Sequence, residues 1–338
     1  MGAAARGFRG VCGRALTLFW RAGSRVSMPR NARGPVIMMP MREARSTTLP
    51  ASLLLIGVVF WGASFVFVKQ GVARVDAYSF LFVRFSLAAL ILAAAFAGRL
   101  RGFNSAVVWR GAVIGAVLAV AFIAQTVGIQ YTTAGNAAFI TGLCVALVPV
   151  MTTALDRRLP PRAQIAAVIL GLAGLALLAL DFPLRLGRGD AWCLLCAALF
   201  GAHIVLISRL ARGVDALLFS LAQLVAVVAV TGVAGLLVNG RIVLSRDPGV
   251  WRSLAYLAVF ATAYMYTVQA RYQKYVSEIK ATMIYSLEPV FAGVFAYFLL
   301  GETLAPRALA GGGLIVAAML LADAGARRAN GSSPKSRA

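Results

Sequence analysis

The amino-acid sequence predicts an all-α integral membrane protein with ten transmembrane helices, arranged as two inverted five-helix repeats. Its composition and the order of its internal motifs support this prediction. Apolar residues occupy 61% of the 338 positions and charged residues only 13%, whereas a soluble domain has roughly 45–50% apolar and about 25% charged residues. Because one water-soluble core cannot bury so much apolar surface, we expect a lipid bilayer to surround the chain.

Ten mainly apolar runs follow the first 50 residues, and each has the length, about 20 residues, that a helix needs to cross a bilayer. Short gaps with turn-forming or charged residues separate them, and the alternating pattern of a membrane β-barrel strand does not occur in the sequence. The predicted spans are 51–70, 78–98, 109–129, 132–155, 164–181, 190–209, 215–238, 251–272, 277–300 and 306–325.

These spans divide the chain into four predicted regions. They are a basic, disordered, cytoplasmic tail at 1–49, a first five-helix repeat at 50–181, a second repeat at 182–326 and a cytoplasmic C-terminal tail at 327–338. The apolar stretch of the N-terminal tail is too short for a signal-peptide core. A start at Met38, Met39 or Met41 is an alternative, so translation of residues 1–37 stays open.

The positive charge of the chain predicts its orientation. The net charge of +22 comes from 33 Lys and Arg against 11 Asp and Glu, and these cations lie mainly in tails and gaps, so we expect no nucleic-acid partner. With a cytoplasmic N-terminus, the inner loops and C-terminal tail hold 15 Lys and Arg and the outer loops seven. Both termini are therefore predicted on the inner side of the cytoplasmic membrane, although Arg241, Arg246 and Arg252 break the bias.

The two halves of the chain repeat one another. Val75-Asp76-Ala77 recurs as Val214-Asp215-Ala216 with an offset of 139 residues. Further pairs follow in the same order with offsets up to 145: Trp109 and Trp251, Gln125 and Gln269, Tyr131 and Tyr275, and Pro161 and Pro306. Because each copy has five spans, an odd number, the second copy enters the membrane from the opposite side. Such an inverted repeat is typical of secondary transporters and favours a carrier over a channel or a membrane enzyme.

Several motifs resemble those of EamA-type transporters of the drug/metabolite transporter superfamily. They are Phe60-Trp61-Gly62-Ala63-Ser64-Phe65, Asn136-Ala137-Ala138-Phe139, Ser286-Leu287-Glu288-Pro289-Val290-Phe291 and Leu300-Gly301-Glu302. The likeness covers residues 50–325 and implies ten spans, an inverted repeat and the transport of metabolites or drugs. Pro149 lies one turn later than Pro289 in the aligned copies, so we expect the two halves to kink at different depths.

Charged residues inside the spans are the first candidates for a binding site, since a charge near the bilayer centre needs a partner or a cavity. Glu288, near the middle of the ninth span, is predicted to bind a proton or a substrate ammonium, or to fix a helix crossing by accepting hydrogen bonds. Arg84, in the second span, is predicted to hold a carboxylate or phosphate in the cavity, or to snorkel outward or pair with an acid. Lys280 and its repeat partner Asn136 are further candidates, with a solvated interfacial lysine as the alternative.

Uncharged side chains complete the predicted site. His203, the single histidine of the sequence, is read either as a hydrogen-bonded packing residue or as a proton relay. The other predicted lining residues are Gln125, Gln269, Gln223, Tyr266, Tyr285 and Trp61.

We therefore expect a secondary transporter that moves a small metabolite or drug-like solute across the cytoplasmic membrane by alternating access, in the efflux direction. Its expected partners are the lipid bilayer and a small-molecule substrate, with protons as a coupling ion and a homodimer left open. The spans lack catalytic, ATP-binding and metal-binding motifs, so neither an enzyme nor a cofactor is expected. An intramembrane enzyme and a membrane scaffold or sensor are the alternatives.

Overall fold

The computed structural model describes residues 48–131, 137, 140–157, 159–179, 187–300 and 306–331. These residues are helical except for short connections and contain no β-strand, as expected for an all-α fold. Most of the predicted N-terminal tail and residues 332–338 of the predicted C-terminal tail lie outside the described residues.

The α-helices of the described residues are numbered here in chain order. They are α1 (Thr48–Val72), α2 (Ala77–Ala95), α3 (Ser105–Tyr131), α4 (Cys144–Asp156), α5 (Arg162–Ala179), α6 (Arg188–Leu210), α7 (Ala216–Asn239), α8 (Pro248–Tyr256), α9 (Met265–Tyr272), α10 (Glu278–Tyr285), α11 (Glu288–Leu300) and α12 (Pro306–Gly331). A π-helical segment, Leu257–Tyr264, joins α8 to α9, so residues 248–272 form one continuous helical run. Short 3₁₀ turns lie at Ala97–Gly102 and Gln273–Tyr275.

The helices have the length and composition of membrane spans. Six helical stretches of the described residues are long and apolar enough to cross a bilayer, and the last of them runs over α10 and α11: Thr48–Val72, Ala77–Ala95, Ser105–Tyr131, Arg188–Leu210, Ala216–Asn239 and Glu278–Leu299. Three shorter apolar helices lie at Ile140–Asp156, Arg162–Leu177 and Leu309–Ala322. Large apolar side chains on these elements are open to the surroundings, including Leu237 at 81% exposure and Phe298 at 75%, which suits lipid and not water. The chain is a multi-pass membrane protein.

The ninth predicted span, 277–300, is interrupted near its middle. α10 ends at Tyr285 and α11 begins at Glu288, with a turn between them. Pro289 has no backbone N–H for the carbonyl of Tyr285, and proline is tolerated in the first turn of a helix, so a new helix begins here. Glu288 is consequently placed at a helix start inside the bundle.

The fourth predicted span, 132–155, begins outside the described residues. Its described part turns at Leu143, immediately before α4. Pro149 lies inside α4, while the turn follows Gly142, whose flexible backbone weakens a helix. The expectation that the two halves kink at different depths stays a prediction. The turns at Leu143 and Leu287 are 144 residues apart, within the range of offsets that relates the two halves.

Equivalent aspartates cap equivalent helices in the two halves. The side chain of Asp76 accepts a hydrogen bond from the backbone N–H of Ser79 at 2.9 Å and begins α2. The side chain of Asp215 accepts from the backbone N–H groups of Leu217 and Leu218, at 2.9 and 3.3 Å, and begins α7. Each cap satisfies backbone donors that have no partner inside the helix.

α2 and α7 run antiparallel to each other. Asn239, at the end of α7, donates a hydrogen bond from Nδ2 to Asp76 Oδ1 at 2.7 Å. Arg99, which follows α2, forms an ion pair with Asp215, and its Nη1 lies 3.2 Å from Asp215 Oδ2. The start of each helix therefore lies beside the end of the other. Asp76 and Asp215, which match in sequence, are at opposite ends of this helix pair.

Helices of the first half pack mainly on helices of the second. α3 packs along α6 and α7, α5 along α12, and α1 along α11 and the 248–272 run. Small residues allow the closest contact: a Cβ atom at Gly111 would lie 2.4 Å from Ala222 Cβ, and one at Gly115 would lie 2.3 Å from the Gln223 carbonyl oxygen. Gly111 and Gly115 therefore allow α3 and α7 to pack closely, as small residues do between membrane helices.

Candidate binding cavity

A cavity of about 80 Å³ lies among α1, α2, α3, α4, α6, α9 and the junction of α10 with α11. One water needs roughly 10–15 Å³ of such space, so the cavity accommodates several waters or a small solute. Its walls combine charged, aromatic and uncharged polar side chains from both halves of the chain. The turn before α4 and the break before α11 both lie in this wall, through Gly142 and Glu288.

Most of the side chains that the sequence singled out meet in this cavity. The predicted residues that line it are Trp61, Arg84, Gln125, His203, Tyr266, Gln269, Tyr285 and Glu288. Gln223 lies behind the wall, in contact with His203. Lys280 is on the first turn of α10, where its backbone N–H bonds Ser277 Oγ at 3.2 Å, and it does not line the cavity. Asn136 lies outside the described residues.

Arg84 is buried in the cavity wall and is 2% exposed. Its Nε donates a hydrogen bond to Thr262 Oγ1 at 2.9 Å. Its guanidinium carbon lies 5.0 Å from the ring centroid of Phe122 and 5.2 Å from that of Phe85, a distance at which the ring faces attract a cation. Of the readings left open for Arg84, the structure supports a cavity-facing cation; it does not snorkel outward, and it forms no ion pair with an acid of the described residues.

Glu288 is half-buried and lines the same cavity from the first residue of α11. The backbone N–H groups at a helix start favour a negative charge. No described residue forms an ion pair with it. The cavity therefore holds a guanidinium group from the first half and a carboxyl group from the second, and the two form no ion pair with each other.

Aromatic rings form much of the remaining wall. The ring centroid of Tyr266 lies 5.9 Å from those of both Trp61 and His203 and 6.3 Å from that of Phe122. The ring centroids of Trp61 and Tyr285 are 5.6 Å apart. Such a wall presents flat apolar surfaces together with ring faces that attract cations.

His203 is held by Gln223 behind the cavity wall. His203 Nε2 lies 3.1 Å from Gln223 Oε1, and the two residues are 2% and 0% exposed. With Gln223 as acceptor, Nε2 carries the proton and the other ring nitrogen is an acceptor. This contact agrees with the reading of His203 as a hydrogen-bonded packing residue and still leaves its second nitrogen for a solute.

Buried polar atoms in the wall lack partners among the described residues. They are Thr141 Oγ1, Tyr266 OH and Gln269 Oε1, and all three residues line the cavity. Buried polar atoms are nearly always hydrogen-bonded in folded proteins. Water or the polar groups of a solute would satisfy them, so the wall is suited to a polar occupant.

Sequence reasoning missed two residues that shape this site. Thr262 holds Arg84 from outside the cavity, and Gln273 accepts a hydrogen bond from the Tyr285 hydroxyl at 2.8 Å. Both are fully buried. The only available signal was a polar residue inside or beside a predicted span, which many packing residues share.

The described residues contain no group of three or more His, Cys, Asp or Glu side chains that could hold a metal ion. Cys193 and Cys196, which lie about one helical turn apart on α6, are both fully buried. Both are free thiols in the core of the bundle.

A polar cavity inside a bundle of apolar helices is the arrangement expected of a membrane transporter. The sequence model of the EamA-like transporter family matches residues 48–180 and 187–322, and the chain belongs to this family. The family therefore accounts for both halves of the chain, one match in each. The resemblance predicted from the sequence motifs is confirmed.

Relatives of known sequence and structure agree with this assignment. Two uncharacterized transporters of Archaeoglobus fulgidus are 29% identical over 79% of this chain and 83% of their own length, and 25% identical over 74% and 89%. A solved crystal structure has the same fold, with a TM-score of 0.70 at 16% identity over 84% of this chain and 99% of its own. The protein is a membrane transporter.

Proposed function

We propose that this protein is a secondary carrier that exports a small organic solute across the cytoplasmic membrane by alternating access. The solute carries an anionic group, bound by Arg84, and a cationic group, bound by Glu288, on an apolar or aromatic body. The observation that carries the proposal is that the side chains of Arg84 and Glu288 line one cavity without an ion pair between them in the described part of the chain.

The cost of charge in a membrane supports a solute with both charges. A charged side chain near the bilayer centre costs about 2.5–3.5 kcal/mol on insertion scales. Complementary charges on a bound solute would offset this cost for Arg84 and Glu288 together. The rings of Trp61 and Tyr266 would then contact the apolar body of the solute.

We further propose ten spans in two inverted repeats, as the sequence predicts. The described residues include six long and three shorter apolar helical stretches. The continuous helical run at 248–272 has the length of another span and is counted as the tenth. The antiparallel arrangement of α2 and α7, the second helices of the two halves, supports the inversion. The excess of Lys and Arg in the inner loops supports cytoplasmic termini.

Reciprocal packing supports alternating access. α3 of the first half packs on α6, the first helix of the second half, and the corresponding 248–272 run packs on α1. α4 packs on α6 as α11 packs on α1. If the halves exchange their conformations, each contact converts into its counterpart, and the cavity opens to the other side of the membrane.

Glu288 is the group that we expect to couple transport to protons. Protonation of its carboxylate would release the cationic group of the solute, so entry of a proton would accompany export. The described residues leave the Glu288 carboxylate without an ion-pair partner, so a proton and the solute would compete for it.

Flux through proteoliposomes containing the purified protein tests the proposal. The panel contains radiolabelled zwitterionic, anionic and cationic solutes of similar size, measured with and without a pH gradient. We expect the zwitterions to move fastest and to respond to the gradient. Glu288→Gln should reduce their flux about tenfold or more, because a hydrogen-bonded charge contact is lost, and should abolish the response.

Glu278→Gln is the matched control, because Glu278 lies ten residues earlier on the first turn of α10 and does not line the cavity. It should retain both the flux and the response to the gradient. Unchanged flux and unchanged pH dependence in Glu288→Gln would remove Glu288 from the mechanism. If no solute of the panel moves in the wild type, the proposed substrate class is wrong.

A further inference from the structure

The two halves differ in the helix that faces Arg84. The 248–272 run contains the π-helical segment Leu257–Tyr264, between its two α-helical ends. The corresponding part of the first half lies between Trp109 and Gln125, within α3, which is α-helical throughout. π-Helical turns are rare and occur frequently at functional sites. The difference is thus confined to one of two otherwise equivalent helices.

Two consecutive residues of the π-helical segment hold two side chains of the cavity. The backbone carbonyl of Ala261 accepts a hydrogen bond from Trp61 Nε1 at 2.8 Å. Thr262 Oγ1 accepts from Arg84 Nε at 2.9 Å. Ala261 and Thr262 are fully buried and do not line the cavity, so they act on a solute only through Trp61 and Arg84.

The contact with Thr262 leaves the rest of the Arg84 guanidinium available. Of the five N–H donors of an arginine, the described residues occupy the one on Nε. The remaining donors form the planar fork that binds a carboxylate or phosphate through two parallel hydrogen bonds. The rings of Phe85 and Phe122 lie beside the guanidinium. These ring contacts and the hydrogen bond from Nε to Thr262 together restrict the orientation of the guanidinium.

We infer that Thr262, presented by the π-helical segment, is the positioning residue that orients Arg84 for two-point binding of the anionic group of the solute. This inference rests on the proposed role of Arg84 in the cavity. The segment also fixes Trp61 through the neighbouring Ala261 carbonyl, so one irregular turn orients a charged wall and an aromatic wall of the same cavity.

Three variants separate positioning from packing. Thr262→Val keeps the shape of the side chain and removes the acceptor, and Thr262→Ser restores the hydroxyl. Thr267→Val is the matched control, because Thr267 is a buried threonine of α9, 1% exposed, whose Oγ1 has no partner among the described residues. Any loss of function caused only by a buried threonine-to-valine change would appear in both valine variants.

The first measurement needs no solute. Protein labelled with ¹⁵N-arginine is placed in nanodiscs, and the Nε–H signal of Arg84 is assigned by its loss in Arg84→Lys. We expect slow hydrogen exchange at this N–H in the wild type, Thr262→Ser and Thr267→Val. Thr262→Val should accelerate exchange about tenfold or more, because it removes a hydrogen bond to a charged group.

The second measurement compares binding of phenylacetate and phenylacetamide, which share a ring and differ in charge. In Thr262→Val we expect the affinity for phenylacetate to fall about tenfold and that for phenylacetamide to change less than about twofold. Thr262→Ser should recover the affinity for phenylacetate. Thr267→Val should bind both probes as the wild type does.

Each other result overturns the inference in a recognisable way. Equal losses for both probes in Thr262→Val would assign Thr262 a packing role only. Unchanged exchange and unchanged affinities would show that Arg84 is oriented without it, and either result would leave the proposed carrier function intact. If the wild type binds neither probe although the Arg84 N–H is protected, the anionic-group site itself is absent, and both this inference and the proposed substrate class are wrong.

Discussion

Asp76 and Asp215 begin equivalent helices of the two halves, yet they lie at opposite ends of the α2–α7 pair. Asp76 accepts a hydrogen bond from Asn239 at the end of α7, and Asp215 lies 3.2 Å from Arg99, beyond the end of α2. Two copies of the same orientation would have placed both aspartates on one side. The position of these caps is therefore the observation that best supports an inverted repeat.

Close packing of α3 on α7 requires the absence of a side chain at Gly115. A Cβ atom there would lie 2.3 Å from the Gln223 carbonyl oxygen and 2.7 Å from Ala226 Cβ. We expect Gly115→Val to destabilise the protein by about 1–3 kcal/mol or more, because the two helices must move apart. Thermal unfolding in detergent measures this effect. Gly98→Val, at a position with no neighbouring atom within 4 Å, should unfold near the wild-type temperature; equal losses in both variants would contradict the packing explanation.

The contact between Asp247 and Arg74 should depend on pH only in strong acid. Asp247 caps α8 and accepts a hydrogen bond from the Gly249 N–H at 2.6 Å. This N–H, together with the Arg74 guanidinium, holds the pKa of Asp247 below its ordinary value, because both stabilise the charged carboxylate. Because the pKa of Asp247 is lower in the folded state, the ionised carboxylate stabilises the fold. This stabilisation is complete above the ordinary pKa of an aspartate, about 4, and is lost as the pH falls through the lower pKa of the folded state.

The unfolding temperatures of the wild type and Asp247→Asn, measured against pH, test this expectation. Their difference should be constant from neutral pH down to about pH 4 and should narrow only below it. A difference that already narrows between pH 7 and pH 5 would contradict the lowered pKa of Asp247.

The contact between His203 and Gln223 should contribute to stability through the cost of an unpaired buried group. Gln223→Leu leaves His203 Nε2 without its partner at 3.1 Å, and we expect a loss of about 1–3 kcal/mol. The double variant His203→Leu with Gln223→Leu should recover part of this loss, because no unpaired imidazole remains. Thermal unfolding of Gln223→Leu, of His203→Leu and of the double variant measures these effects; a double variant that loses the sum of the two single effects would contradict the pairing.

Regular apolar periods allowed much of the fold to be predicted, whereas its irregular turns were not predictable in detail. The spans around α1, α2, α3, α6 and α7 match helices of the structure within a few residues, because about 20 consecutive apolar residues have few other stable arrangements. The π-helical segment at Leu257–Tyr264 was not predicted, since its sequence is as apolar as that of an α-helix. The turn at Leu143 was not predicted either, because a single glycine such as Gly142 is frequent inside membrane helices.

The candidate site followed from the rule that polar groups inside a membrane need partners. This rule identified Glu288, Arg84 and His203, and all three line one cavity. It also selected Lys280, which lies at a helix start outside the cavity lining, because sequence alone does not fix the depth of a residue near the end of a span. The rule did not identify Thr262, because the role of this residue depends on its contact with Arg84, which lies 178 positions away in the sequence.

The side of the membrane on which the third spans of the two halves begin tests the central claim most directly. In a variant whose native cysteines are replaced, single cysteines are introduced as Ser105→Cys, at the first residue of α3, and Arg246→Cys, before α8. Intact cells are then treated with a membrane-impermeant maleimide. An inverted repeat predicts that the cysteine at 246 is labelled from outside and that the cysteine at 105 is labelled only after the cells are opened. Labelling of both from the same side would contradict the inverted repeat and the alternating-access carrier that rests on it.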